Sequence, residues 1–198
     1  MKAKQNPKAV VLDLEFTAWE GSMAGGWSRP GEYREVVQIG AVKLDAARLK
    51  IADEFSMLVR PRINPVLSEY FAALTGIGNA RLQREGVDFI TAYEAFLAFV
   101  DGAATFGFGR DDLVLEENLK RYVWGTRALP RHVNVVPWLA EQGLDMKGKN
   151  ACHVAEAAGL SFEGHAHDAL ADAKGVAAGL MHLIAKGAPN LFLADTLP

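Results

Sequence analysis

Cysteine is nearly absent from this chain: Cys152 is the only one in 198 residues. One thiol cannot close an internal disulfide, and its scarcity suits a reducing compartment. An excess of one charge is missing too. Lys and Arg number 21 against 24 Asp and Glu, a formal net charge of -3. No overall positive field advertises nucleic-acid binding, so such a partner has to be held by a local patch or through metal ions. Long apolar runs are also lacking. No segment approaches the roughly 18 apolar residues of a membrane span, and the polar, basic start Met1 to Lys8 has no apolar stretch behind it. A soluble cytoplasmic protein without a membrane partner is therefore expected. What remains is a globular composition, half hydrophobic and 23% charged. No repeat, low-complexity segment or linker divides the chain. The expectation is a single domain over residues 1–198 with a core over about 8–186.

The most informative stretch is Val10-Val11-Leu12-Asp13-Leu14-Glu15-Phe16. Its apolar run suits a strand buried on both faces. Asp13 and Glu15 are two apart, so on a strand they point to one face. Two like charges inside an apolar segment are costly unless a positive group sits between them, and a divalent cation takes carboxylate oxygens well. The alternative is a strand end where both acids reach water. A loop rich in Gly, Ser and Trp follows, Thr17 to Arg34, in which Trp19 and Trp27 either cover a substrate or pack the loop down. Two more strands are read at Glu35 to Leu44 and Phe55 to Pro61, with a short turn over Asp45 to Lys50. Three strands so close together suggest an antiparallel meander.

Further along, Pro65 to Gly76 reads as a short helix with Gly76 as its C-terminal stop, and Asp88 to Val100 has helical apolar spacing. Thr105 to Phe108 is a strand broken at Gly109, and Leu113 to Tyr122 is helical. Asp111 and Asp112 thus sit at a strand-to-helix junction, where capping is the competing use of an Asp. Val133 to Ala140 mixes strand and helix signals, Asn150 to Gly159 is a short helix, and Gly187 to Pro198 reads as an extended end. The last long helix begins near His167 and runs through Asp172 to Ile184. Five residues on a helix leave about 140° between His167 and Asp172, so they converge only if His167 lies before the helix or in its first turn. A central strand flanked by helices can gather Asp13, Glu15, Asp111, Asp172 and His167. That is the layout of a two-metal phosphoryl-transfer site with a histidine near neutral pKa to take a proton.

The sequence resembles the DEDDh 3′–5′ exonucleases over nearly its whole length, and in particular their enhanced-RNAi branch. The resemblance is carried by Leu12-Asp13-Leu14-Glu15-Phe16-Thr17, then Glu35 to Val42, the Asp111 region, and His167-Asp168-Ala169-Leu170-Ala171-Asp172-Ala173. Val59-Arg60-Pro61 and Leu74-Thr75-Gly76-Ile77 add to it. It implies an α/β, RNase H-like fold: a mixed five-stranded sheet, three antiparallel strands leading and parallel strands following, with helices on both faces. It implies two divalent ions, Mg²⁺ or Mn²⁺, on Asp13, Glu15, Asp111 and Asp172, with His167 as general base. It further implies a single-stranded RNA or DNA 3′ end bound by Phe16 and Thr17 and wedged by Leu74, Thr75, Gly76 and Ile77. The second motif departs from the family pattern. Phe108-Gly109-Arg110-Asp111-Asp112 offers two candidate ligands, of which Asp111 keeps the apolar residues at the family's +3 and +4 positions. His165 is expected to be a loop neighbour of the site. The resulting expectation is an exonuclease releasing nucleoside 5′-monophosphates. A regulatory or binding module on the same fold, without the chemistry, is the second function class, and a hydrolase of small nucleotides is the third. The sequence names no protein partner and does not choose between RNA and DNA.

Overall fold

The computed structural model describes residues 8–122 and 127–193. Its centre is β1, Lys8–Phe16, whose interior is almost wholly buried. Then come the short α1 (Ser22–Gly25), β2 (Val36–Asp45) and β3 (Lys50–Leu58). Three helices follow, α2 (Glu69–Thr75), α3 (Asn79–Glu85) and α4 (Phe89–Val100). The chain continues with β4 (Ala104–Gly107), α5 (Asp111–Tyr122), β5 (His132–Asn134), α6 (Val136–Glu141), α7 (Val154–Ala157) and α8 (Ala169–Ala185). The sheet has five strands in the order β3-β2-β1-β4-β5. β1 pairs antiparallel with β2 and β2 with β3, while β4 runs parallel to both β1 and β5. The mixed sheet expected from the resemblance is therefore present, with its antiparallel meander first.

Period-two alternation sorts β1 between two cores. Val10, Leu12 and Leu14 pack with Ile39, Ala41, Phe96 and Leu115 on the face covered by α4 and α5. Ala9 and Val11 pack with Val42, Leu44, Val176 and Leu180 on the face covered by α8. Helices thus lie on both faces. Asp13 and Glu15 continue the odd-numbered side, so they face α8. A third cluster, Val37, Leu58, Leu67, Phe71, Ile77 and Leu82, seats the α2–α3 segment against the sheet edge.

Several local expectations shift for physical reasons. β3 begins at Lys50 and not at Phe55, because it is an edge strand whose first half is exposed and polar, leaving no apolar signal to read. The end of the chain is not extended over its described part. Leu191–Leu193 forms a 3₁₀ turn in which Leu191 and Phe192 are buried, and the Phe192 ring meets Phe106 edge-on at 5.0 Å. Among the described residues no helix is long and apolar enough to cross a membrane.

Candidate active site

β1 and β4 pair only as far as Val11 and Phe106. Beyond that point the strands part, and the gap at their C-terminal ends becomes a cavity of about 340 Å³. Its lining includes Asp13, Glu15, Phe16, Asp111, His167 and Asp172. All four acids are buried. Asp111 opens α5, and its seat exists because Gly107 has no side chain: a Cβ there would stand 2.9 Å from the Asp111 carboxylate and 3.1 Å from the Leu12 carbonyl oxygen. The Gly109 turn before it is pinned from β5. The Gly109 amide donates to Asn134 Oδ1 at 3.1 Å, and the His132 ring contacts the Gly109 carbonyl at 3.2 Å. Asp112 faces elsewhere, in a two-pronged pair with the Arg110 guanidinium at 2.8 Å. Of the two adjacent carboxylates, Asp111 is the one in the cavity.

The other wall comes from the start of α8. His167 lies before the helix, on a loop and in the left-handed region at φ 63, and Asp168 caps α8 by accepting from the Ala171 amide. The turn carries the His167 amide to Asp172 Oδ2 at 3.3 Å, which brings the two residues together as the 140° argument requires. Ligand atoms of Glu15, His167 and Asp172 all lie within 4.8 Å of one another. His165 is exposed and outside the cavity lining; a Cβ on Gly76 would lie 3.9 Å from its ring. α8 itself is anchored by Gln38, a buried side chain of β2. Its amide nitrogen donates to Asp168 at 3.0 Å, and its oxygen accepts from the Ala169 amide at 3.0 Å. Gln38 could have been suspected from the sequence as a polar residue inside an apolar strand.

The expected substrate residues divide. Phe16 lines the cavity. Thr17 is buried beside it, donating its hydroxyl to the Tyr33 carbonyl. Gly76 ends α2 in the left-handed region at φ 70 and is exposed, while Leu74 is half-buried. The side chains of Thr75 and Ile77 turn inward, Thr75 bonding the Phe71 carbonyl at 2.9 Å and Ile77 joining the edge cluster.

Burial first, and crowding of the acids after it, set their electrostatics. Burial first, then repulsion by Asp111, Glu15 and Asp172, hold the Asp13 carboxyl well above its ordinary range. Burial and then Asp172 and Asp111 push Glu15 up to about 9. Burial, with Asp112 adding, lifts Asp111 to about 8, and burial lifts Asp172 to about 7. His167 is displaced downward, by burial and then by His153 and His165. Asp111 Oδ2 and Asp172 Oδ1 are buried without a hydrogen-bond partner among the described residues. These hard carboxylate oxygens from α5 and α8, facing one cavity with the buried Asp13 and Glu15 of β1, fit a divalent cation.

The sequence pattern of an exonuclease family, RNase_T, matches residues 10–179. The chain belongs to that exonuclease family. Within it, the similarity is to the DEDDh, enhanced-RNAi branch. The chain is 35% identical over 75 residues to 3′–5′ exoribonuclease 1 of Rattus norvegicus, covering 37% of this chain and 20% of that protein. It is 37% identical over 68 residues to the 3′–5′ exonuclease eri1 of Schizosaccharomyces pombe, covering 34% and 21%. These matches thus span about a fifth of the length of either relative. In three dimensions it resembles the nuclease domain of 3′hExo, a DEDDh family member solved with rAMP, with a TM-score of 0.78, 20% identity and coverage of 93% of this chain and 95% of that one. An E. coli ExoI–ssDNA complex matches at a TM-score of 0.65 and 16% identity, over 94% and 42% of the two chains. Divalent-metal dependence goes with the family, and the site provides a cluster for it.

Proposed function

We propose that this protein is a metal-dependent 3′–5′ exonuclease that hydrolyses single-stranded RNA or DNA ends to nucleoside 5′-monophosphates. The observation that carries the reading is the set of four buried carboxylates around one cavity, two of them with an oxygen that has no partner among the described residues. Asp13, Glu15, Asp111 and Asp172 would hold two divalent ions, Mg²⁺ or Mn²⁺. Such ions supply positive charge to the scissile phosphate and acidify water at neutral pH. His167, whose depressed pKa keeps it neutral near pH 7, accepts the proton from the attacking water. Phe16, in the cavity lining, would offer its ring to the terminal base, and the exposed turn at Gly76 would wedge against that base. Thr17 contributes by holding the loop behind Phe16.

The experiment is purified protein with Mn²⁺ against end-labelled single-stranded RNA, single-stranded DNA and duplex. A ladder shortening from the 3′ end, lost in excess chelator, is expected. Full activity in chelator, or binding of strands with no cleavage, would overturn the reading; the latter outcome would favour a binding module on the same fold.

A further inference from the structure

We infer that Trp27 is a positioning residue that fixes the Phe16 ring as a stacking face for the 3′-terminal base. The inference rests on the exonuclease reading above. Phe16 is the last residue of β1 and is only half-buried, at a point where the register with β2 slips. A lone ring at a strand end turns between rotamers, and an unfixed ring is a poor platform. Trp27 removes that freedom. Its ring lies 5.3 Å from Phe16, centroid to centroid, at 54°. Its indole N–H donates to the carbonyl of Thr17, the next residue along, at 2.8 Å. The Arg34 guanidinium sits over the indole at 5.9 Å. Trp27 itself is not part of the cavity lining, whereas Phe16 and Arg34 are. It therefore backs the site without covering it.

The backbone shows what it takes to aim the indole there. Trp27 adopts φ 53, a left-handed conformation that bulky L-residues rarely hold. Gly21 and Gly26 on either side of α1 are left-handed as well, and the Trp27 amide closes the turn on the Ser22 carbonyl at 3.0 Å. An indole that merely filled space under a loop could do so from a relaxed backbone. Strain of this kind persists where the surrounding contacts over-determine it, and here those contacts converge on Phe16, Thr17 and Arg34.

The test uses two oligonucleotides of one sequence, the first ending in adenosine and the second in an abasic 3′-terminal sugar. Trp27→Leu should raise KM for the base-bearing strand about tenfold, within the range that base–aromatic stacking is worth. It should leave kinetics on the abasic strand and the affinity for Mn²⁺ unchanged. Trp27→Phe, which keeps a ring, should recover most of the loss. In a Phe16→Ala background Trp27→Leu should add nothing. Equal losses on both strands, or no loss on either, would overturn the inference, because a role in loop stability alone does not sense the terminal base. Should Trp27→Leu fail to fold, Trp27→Met, which also removes the ring but keeps more of the bulk, decides between the same outcomes. Wild-type protein that cleaves neither strand in Mn²⁺ would instead remove the exonuclease reading itself.

Discussion

Gly40 of β2 and Ala169 of α8 touch backbone to backbone: a Cβ on Gly40 would stand 2.1 Å from the Ala169 carbonyl carbon and 2.2 Å from the Leu170 amide nitrogen. Gly40 is also the partner of Asp13 across the β1–β2 ladder. The close approach therefore sets the height of α8, and with it Asp172, above the strand that carries Asp13 and Glu15. Gly40→Ala should destabilise the protein by at least about 2 kcal/mol, since backbone cannot move aside as a flexible side chain can. Urea unfolding would measure this. Metal affinity should fall as well, because the helix must lift. Wild-type stability in Gly40→Ala would show that α8 does not need the approach.

The second prediction concerns pH in the absence of metal. Glu15, Asp111 and Asp172 have native values raised to about 9, 8 and 7. Between the ordinary carboxylate range and these values the native state holds protons that the unfolded chain has released. The native state is then favoured at low pH and loses stability as pH rises through about 7 to 9. Melting temperature in excess chelator should therefore fall on going from pH 6 to pH 9. Divalent ions should reverse the trend, and their binding near pH 7 should release protons, detectable by calorimetry in buffers of different ionisation heat. A metal-free melting temperature that climbs steadily to pH 9 would contradict the repulsive cluster.

Asp13→Asn extends the same argument. Burial first, and then repulsion by Asp111, Glu15 and Asp172, disfavour the charge on this acid. Removing its charge should raise the melting temperature of the metal-free protein and abolish both turnover and the stabilisation by Mn²⁺. A metal-free mutant less stable than wild type would mean that Asp13 contributes to folding in some way other than charge.

The pattern of legibility follows from the range of each signal. Asp13 and Glu15 could be placed on one face because strand periodicity is local and strict. The position of His167 could be placed because helical rotation forbids the alternative. Gly76 ends α2 in the left-handed form that only its residue type adopts cheaply. By contrast, α3, with the sequence Asn79-Ala80-Arg81-Leu82-Gln83-Arg84-Glu85, buries only Leu82 and has no apolar stripe to read. Gln38 is legible as an oddity, but its partners Asp168 and Ala169 are 130 and 131 residues away, and no local rule reaches them. The inward turn of Ile77 depends likewise on a cluster that includes Val37 and Leu58 of distant strands.

The adjacent acids of the second motif separate cleanly. Asp111 is buried in the cavity with an oxygen that has no partner among the described residues, and Asp112 is engaged by Arg110 at the surface. Asp111→Ala should abolish turnover and lower affinity for Mn²⁺. Asp112→Ala should cost about 1 kcal/mol of stability at most, as for an exposed pair and a helix start. Equal inactivation by both would show that Asp112 acts in the site too.

His167 and His165 give the last contrast. His167 lines the cavity and His165 does not. Replacing His167 by alanine should cost about 10²–10⁴-fold in kcat, the usual worth of a general base. Affinity for Mn²⁺ should survive, since four carboxylates remain. Burial comes first in lowering the pKa of His167, with His153 and His165 repelling its cation. A base is active when neutral, so activity should fall on the acid side only below the ordinary histidine range. His165→Ala removes one repelling neighbour, which lets His167 hold its proton to higher pH. The acid limb of kcat against pH should therefore shift upward in His165→Ala, with little change on the plateau, and disappear in His167→Ala. A limb that vanished with His165 and persisted without His167 would reverse the assignment of the two residues.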